Sequence, residues 1–192
     1  MAPTRIVIAE DEAIPRFGLR EMLEDQGYLV IGEASDGRSA VDIARDLRPD
    51  LVIMDIMMPE LDGISASQLL AEEKIAPVLL VTAYNDRDLV GRATEAGVFA
   101  YVSKPFTEAQ LIPQIEIALA RFREFQDLVE QADDAKSALE TRKIVDRAKV
   151  VLMQTEGLSE ADAYRHIQRT SMNNRRPMRD VAESIIQSHS TG

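Results

Sequence analysis

Five short apolar runs recur through the first 106 residues, and each is followed by a turn signal. They are Ile6-Val7-Ile8-Ala9, Tyr28 to Ala34, Leu51-Val52-Ile53-Met54, Pro77 to Thr82 and Phe99-Ala100-Tyr101-Val102. Runs without polar alternation are typical of strands covered on both faces, as in parallel sheets. Between them lie apolar residues at helical spacing: Phe17, Leu19, Met22 and Leu23; Ala40, Val41, Ile43, Ala44 and Leu47; Ile64, Leu69 and Leu70; Leu89, Val90 and Ala93. Strands alternating with helices predict right-handed crossovers in a parallel sheet. The expected fold class is therefore α/β, a five-stranded doubly wound sheet in the flavodoxin-like order 2-1-3-4-5.

That order puts its switch point between strands one and three, where open α/β sheets bind ligands at the carboxyl ends. Glu10 and Asp11 end strand one and Asp55 ends strand three, so the three meet in one crevice. Thr82 ends strand four and Lys104 follows strand five, and both can face it. Each residue also has a plain structural reading: helix-start acids, a loop cap, strand-end packing, a solvated lysine. Four such features at the ends of four strands are more economically one site. Carboxylates packed together repel, and a hard divalent ion resolves the conflict. Mg²⁺ takes oxygen ligands and keeps several waters. Asp11 and Asp55 are the expected direct ligands, with Glu10 acting through a bound water and the Met57 carbonyl completing the shell. Asp55 can then accept a phosphoryl group as a carboxylate nucleophile. Lys104 can pair with one phosphoryl oxygen and the Thr82 hydroxyl can donate to another.

The chain has 192 residues and no cysteine, which excludes disulfides, thiolate metal sites and cysteine nucleophiles. His166 and His189 make no obvious metal pair. No run of 18 apolar residues and no long apolar leader appear, so a cytoplasmic protein with no membrane contact is expected. Residues 1–120 carry the whole net −11, whereas residues 137–192 carry +2. Such asymmetry hints at a separate partner for the tail, weakly pointing to nucleic acid.

From Thr107 the pattern changes. Thr107 with Gln110 suggests a capping box. Leu111, Ile115, Ala118, Phe122, Phe125, Val129, Ala132 and Leu139 follow at heptad-like spacing, with Lys136 in one apolar place. No Gly or Pro intervenes between Pro113 and Gly157. One helix to Met153 would be about 70 Å long. A weak coiled-coil dimer and two ordinary helices broken near Asp133-Asp134 both stay open. Three helical segments then suggest a small bundle. The first runs from Leu139 to Met153, with Ile144, Ala148, Val151 and Leu152 inward. The second runs from Ser159 to Arg169 and carries Ala163, Tyr164 and Ile167, with Tyr164 expected in the core. The third follows Ser171-Met172-Asn173-Asn174 and carries Met178, Val181, Ala182, Ile185 and Ile186.

Residues 4–120 resemble the receiver domain of two-component response regulators. The resemblance rests on Glu10-Asp11, Asp55 with Pro59 and Gly63, Thr82-Ala83 and Lys104-Pro105. It implies phosphorylation of Asp55 by a sensor histidine kinase, with Mg²⁺ as cofactor. It also implies that Thr82 and Tyr101 form a switch pair and that Lys104-Pro105 is cis. Met57 and Tyr84, beside the phosphoryl position, are expected to hinder an attacking water and lengthen the phosphoprotein's life. Residues 121–136 would be a helical linker. Residues 137–188 resemble the ANTAR domain of transcription antitermination regulators, as found in actinobacterial receiver–ANTAR proteins. The motifs are Arg147-Ala148-Lys149 with Leu152-Met153, Gly157-Leu158-Ser159, Ala163-Tyr164, Ser171-Met172 and Val181-Ala182; Val150 departs from a frequent glycine.

That resemblance implies binding to RNA stem-loops in transcript leaders. The contacts are expected among Lys143, Arg147, Lys149, Arg165, Arg169, Arg175, Arg176 and Arg179, with Arg175-Arg176 foremost as the start of the last helix. Phosphorylation would free or align the tail, or favour a homodimer. A DNA-binding or protein-docking tail is the alternative. A phosphatase enzyme is disfavoured, because Met57 stands where such enzymes need a second Asp.

Overall fold

The structure is a computed structural model that describes residues 2–83 and 97–189. The helix expected on Leu89, Val90 and Ala93, and the residue Tyr84, lie outside the described residues. The chain divides into two compact units, Met1–Gln126 and Asp127–Gly192.

The first unit holds a five-stranded parallel sheet ordered β2-β1-β3-β4-β5. Its strands are β1 (Arg5–Ala9), β2 (Leu29–Ala34), β3 (Leu51–Asp55), β4 (Val78–Thr82) and β5 (Ala100–Ser103). Alternation along each strand sends side chains to opposite faces. Val7, Val52, Met54, Val78 and Leu80 pack on one face with Ala40, Val41 and Ala44 of α2 (Gly37–Leu47) and Ile64 and Leu70 of α3 (Gly63–Glu72). Ile6, Ile8, Leu51, Ile53, Leu79 and Val81 pack on the other with Leu19 and Leu23 of α1 (Ala13–Asp25). Leu111, Ile115 and Ala118 of the next helix join that second layer. Each fully buried Leu or Ile contributes about 1.5–3 kcal/mol, so the two layers hold the sheet between the helices.

The starts of α2 and α3 are set by side-chain caps. Asp36 accepts from Ser39 N at 2.7 Å and opens α2. Asp62 accepts from Ile64 N and Ser65 N at 3.0 Å each and opens α3. Both first residues are glycines for reasons of space. A Cβ on Gly37 would lie 2.9 Å from the Leu61 carbonyl carbon and still closer to its oxygen. One on Gly63 would lie 3.0 Å from the Asp55 carbonyl carbon and from Ile56 Cα.

Helix α4 is a single element, Glu108–Glu156, with no break at Asp133-Asp134. Its heptad-like stripe is split in use. Leu111, Ile115 and Ala118 are buried in the first unit, and Phe122 meets Phe99 edge-on at 5.3 Å between ring centroids. Further along the stripe Phe125, Ala132, Lys136 and Leu139 are exposed and Val129 is half-buried; Leu128 and Ala135, outside it, are exposed too. In the second unit, Val145, Ala148 and Leu152 of α4 pack with Ala163 and Ile167 of α5 (Glu160–Asn174) and Val181 and Ala182 of α6 (Met178–His189).

Three expectations for this unit are corrected. Helix α5 does not stop at Arg169 but runs on through Ser171-Met172-Asn173-Asn174. It ends where Arg175 turns left-handed (φ 50°), with Arg176 N donating to Ser171 O and Ser171 Oγ donating to Arg176 O. Arg175-Arg176 therefore lie in the turn before α6, not at its start. Tyr164 is not in the core but 44% exposed. Ala163 and Ile167 are four residues apart and share the inward face, whereas Tyr164 projects about 100° away.

Among the described residues, no helix is long and apolar enough to cross a membrane.

Candidate functional site

Ala9 pairs with Met54 across the adjacent strands β1 and β3, so Glu10 and Asp55 emerge side by side. Carboxylate oxygens of Glu10, Asp11 and Asp55 all lie within 4.8 Å of one another. Glu10 and Asp55 are buried and Asp11 is exposed. Such a cluster requires positive charge. Lys104 supplies it: its Nζ donates to Glu10 Oε2 at 2.6 Å and also to Asp55 Oδ2. The lysine is fixed by its own N–H, which donates to Thr82 O at 2.7 Å. The Lys104–Pro105 peptide is cis.

Burial pushes the Glu10 carboxyl above its ordinary value; the Lys104 bond and charge oppose this, and the Asp55 charge adds to it. Burial works against the charge on Lys104, but its bonds to Asp55 and Glu10 prevail and its pKa is raised. The ammonium thus stays charged between two carboxylates. A hard cation takes an all-oxygen donor set of this kind, so the three acids fit a Mg²⁺-sized ion.

The remaining predicted residues are placed as follows. Met57 is exposed, and its N–H donates to Asp55 Oδ1 at 3.1 Å. Thr82 is buried at the end of β4, in register with Ser103 of β5. Tyr101 is 48% exposed on β5. One contributor escaped the sequence reading. Arg16 of α1 donates to the Glu10 carbonyl oxygen at 2.6 Å and pairs with Glu33 at 3.3 Å. It clamps the main chain that presents Glu10. An arginine one turn into a helix carries no signal of such a bond.

In the second unit the eight basic candidates fall into two groups. Lys149 is held by Asp146 (2.7 Å) and Glu160 (2.8 Å), Arg165 by Asp162 (2.6 Å), and Arg179 by Glu183 (2.9 Å) and Glu140 (3.8 Å). Their charges are largely answered within the protein. Lys143, Arg147, Arg169, Arg175 and Arg176 are exposed and have no ion pair among the described residues. Arg176 makes one long bond to Ser184 Oγ, 3.4 Å.

Comparison with known proteins agrees with both units. Residues 6–116 match the response regulator receiver domain, and residues 133–186 match the ANTAR domain. The transcriptional regulatory protein PdtaR of Mycobacterium tuberculosis is 48% identical over 189 residues, 98% of this chain and 92% of that protein. The signal receiver domain of a modulated diguanylate cyclase from Desulfovibrio desulfuricans G20 superposes with a TM-score of 0.59 at 34% identity, covering 63% of this chain and 97% of that one. The CheX–CheY–BeF3–Mg2+ complex from Borrelia burgdorferi gives a TM-score of 0.56 at 26% identity, covering 59% and 87%.

Proposed function

Because the chain belongs to the response regulators that join a receiver domain to an ANTAR RNA-binding output domain, we propose that phosphorylation of Asp55 controls transcription antitermination in the cytoplasm. The family is one of regulators rather than enzymes. The observation that carries the proposal is the Lys104 ammonium bridging Glu10 and Asp55 at the sheet's switch point.

In this reading a sensor histidine kinase presents a phosphohistidine to the crevice. An Asp55 carboxylate oxygen forms the new P–O bond while the P–N bond to the kinase breaks. Asp11, Asp55 and the Met57 carbonyl would hold Mg²⁺, with Glu10 acting through a water, and the ion would neutralise charge on the phosphoryl oxygens. The similar CheX–CheY complex, which contains BeF3 and Mg2+, supports Mg²⁺ as the ion by likeness. Lys104 releases Glu10 and Asp55 and pairs with a phosphoryl oxygen. The Thr82 hydroxyl donates to another, and Tyr101 turns inward from its exposed position. Met57, beside Asp55, screens the acyl phosphate from water and gives a long-lived phosphoprotein; a half-life of seconds would refute this.

The functional boundaries are residues 4–120 for the receiver, 121–136 for the linker and 137–188 for the output. Lys143, Arg147, Arg169, Arg175 and Arg176 are the foremost RNA contacts, because no carboxylate among the described residues pairs with them. Lys149, Arg165 and Arg179 contribute less. Exposed Leu128 (59%) and Leu139 (54%), spaced with Ala132 and Ala135 at heptad steps, support a weak homodimer on phosphorylation.

The test is binding of the full chain to a stem-loop RNA and to duplex DNA of equal charge, at two salt concentrations. Each is measured with and without Mg²⁺ and beryllofluoride. Preferential RNA binding strengthened by beryllofluoride, and lost from Asp55→Asn only in its strengthening, is the expected result. No RNA preference in either state would overturn the output assignment and favour a protein partner.

A further inference from the structure

Tyr164 is an aromatic side chain that the second unit leaves 44% exposed. Its ring forms part of the wall of an open groove of about 640 Å³, shared with Arg142, Val145, Asp146, Lys149 and Met178. The floor is apolar but small: Val145 is buried and Met178 is half-buried. The rim carries both signs. Lys149 is bonded to Asp146 at 2.7 Å, and Arg142 approaches the other Asp146 oxygen at 4.0 Å while remaining 82% exposed.

These features select among ligands. A phosphate is disfavoured inside the groove, because Lys149 is held by Asp146 and Glu160 and the wall carries the carboxylates of Asp134 and Asp146. An amphipathic helix needs a long apolar stripe, whereas the aliphatic residues here, Ala138, Val145 and Met178, are interrupted by Asp134, Ser137 and Thr141. A flat, neutral ring with donors and acceptors on its edge fits all parts at once. It stacks on Tyr164, its donors meet Asp146 and its acceptors meet Arg142. RNA loops offer such groups as splayed bases, which proteins commonly hold by stacking and edge hydrogen bonds. The surroundings suit the attached backbone. Lys143 and Arg147 stand one residue beyond Arg142 and Asp146, about 100° round the helix. Both are exposed and neither has an ion pair among the described residues.

We propose that this groove is a subsite for one unpaired nucleobase of a bound RNA loop, stacked on Tyr164, with Lys143 and Arg147 holding the flanking phosphates. The proposal rests on the RNA-binding reading of the output domain. It gives Tyr164 a binding role distinct from that of the basic residues.

The experiment uses the full-length chain and a hairpin RNA selected by it from a pool with a randomised loop. Loop purines are replaced singly by 2-aminopurine. Tyr164→Phe should keep wild-type affinity, whereas Tyr164→Ala and Tyr164→Leu should each lose about tenfold or more, with unchanged circular dichroism. One loop position should show fluorescence quenching on binding that Tyr164→Leu abolishes. Lys143→Ala should weaken binding and lower its salt dependence without removing the quenching. Wild-type affinity and quenching in Tyr164→Leu would overturn the subsite and leave RNA binding itself standing, with the groove then open to a protein ligand. Failure of the wild-type chain to enrich any hairpin would overturn both.

Discussion

Replacing Gly63 by alanine tests whether the backbone around Asp55 is as tightly determined as its contacts require. The added Cβ would meet the Asp55 carbonyl oxygen well inside contact distance, and the Asp55 carbonyl carbon and Ile56 Cα at 3.0 Å. Carbon atoms prefer about 3.5–4.0 Å, so even the milder overlaps demand a shift of roughly 0.5–1 Å. None of these atoms can rotate away, since all belong to the main chain. Overpacking of this kind costs about 1–3 kcal/mol. Alanine regains up to about 1 kcal/mol as a better helix residue than glycine. A net loss of about 1–2 kcal/mol corresponds to a melting temperature lower by roughly 3–6 °C for a chain of this size. The displaced atoms carry Asp55 itself, and misplacing a reacting group by about 1 Å costs on the order of 100-fold in rate. Thermal melts by circular dichroism and intact-mass kinetics with phosphoramidate read the two effects. The control is Gly18→Ala on exposed α1, where an added Cβ meets nothing within 4 Å. That variant should be stabilised by about 0.5–1 kcal/mol and react normally. If Gly63→Ala melts and reacts like the wild type, the close approach has no bearing on the crevice.

Two further outcomes are expected. Lys104→Ala leaves Glu10 and Asp55 facing each other without their cation, and should cost about 2 kcal/mol in divalent-free buffer, discounted because the lysine is partly exposed. Added Mg²⁺ should raise its melting temperature more than that of the wild type, since no amine competes; equal responses would show that Lys104 does not stand where the ion binds. Tyr28 donates to Glu116 Oε1 at 2.9 Å, and burial and that carboxylate push its pKa up to about 12. The folded state therefore holds the phenol proton longer than the unfolded chain, so this contribution is full below pH 10 and is lost as pH rises toward 12. Tyr28→Phe should cost about 1 kcal/mol at neutral pH and flatten the alkaline decline in urea titrations; an unchanged alkaline slope would sink the assignment.

The sheet was legible because strands buried on both faces leave an unbroken apolar signature, as at Leu51 to Met54 and Pro77 to Thr82. The crevice was legible because strand order alone brings Glu10, Asp11 and Asp55 together. What stayed hidden depended on three-dimensional partners. Arg16 looks like any helix arginine until the Glu10 carbonyl is placed beside it. The heptad-like stripe of α4 reads as one seam, yet Leu111, Ile115 and Ala118 are taken up by the sheet layer and only later positions are free. Tyr164 follows a buried alanine and reads as core, but at about 100° per residue it points elsewhere. Helix α5 reads as ending at Arg169 because Ser and Asn favour turns, whereas it runs on to Asn174 and closes through the paired Ser171–Arg176 bonds.

The close approach of Gly37 to Leu61 also bears on how this sequence can drift. The crowding comes chiefly from the Leu61 carbonyl group, which every amino acid possesses. No substitution at position 61 could therefore make room for a side chain at position 37. Changes at 61 are permitted by the backbone whatever stands at 37, while a lost glycine at 37 can be suppressed only by moving the loop that follows Asp55. Genetic suppressors of a Gly37 variant should accordingly map to residues 56–60 and 62, as insertions, deletions or new glycines that move the loop, and not to exchanges of Leu61 itself.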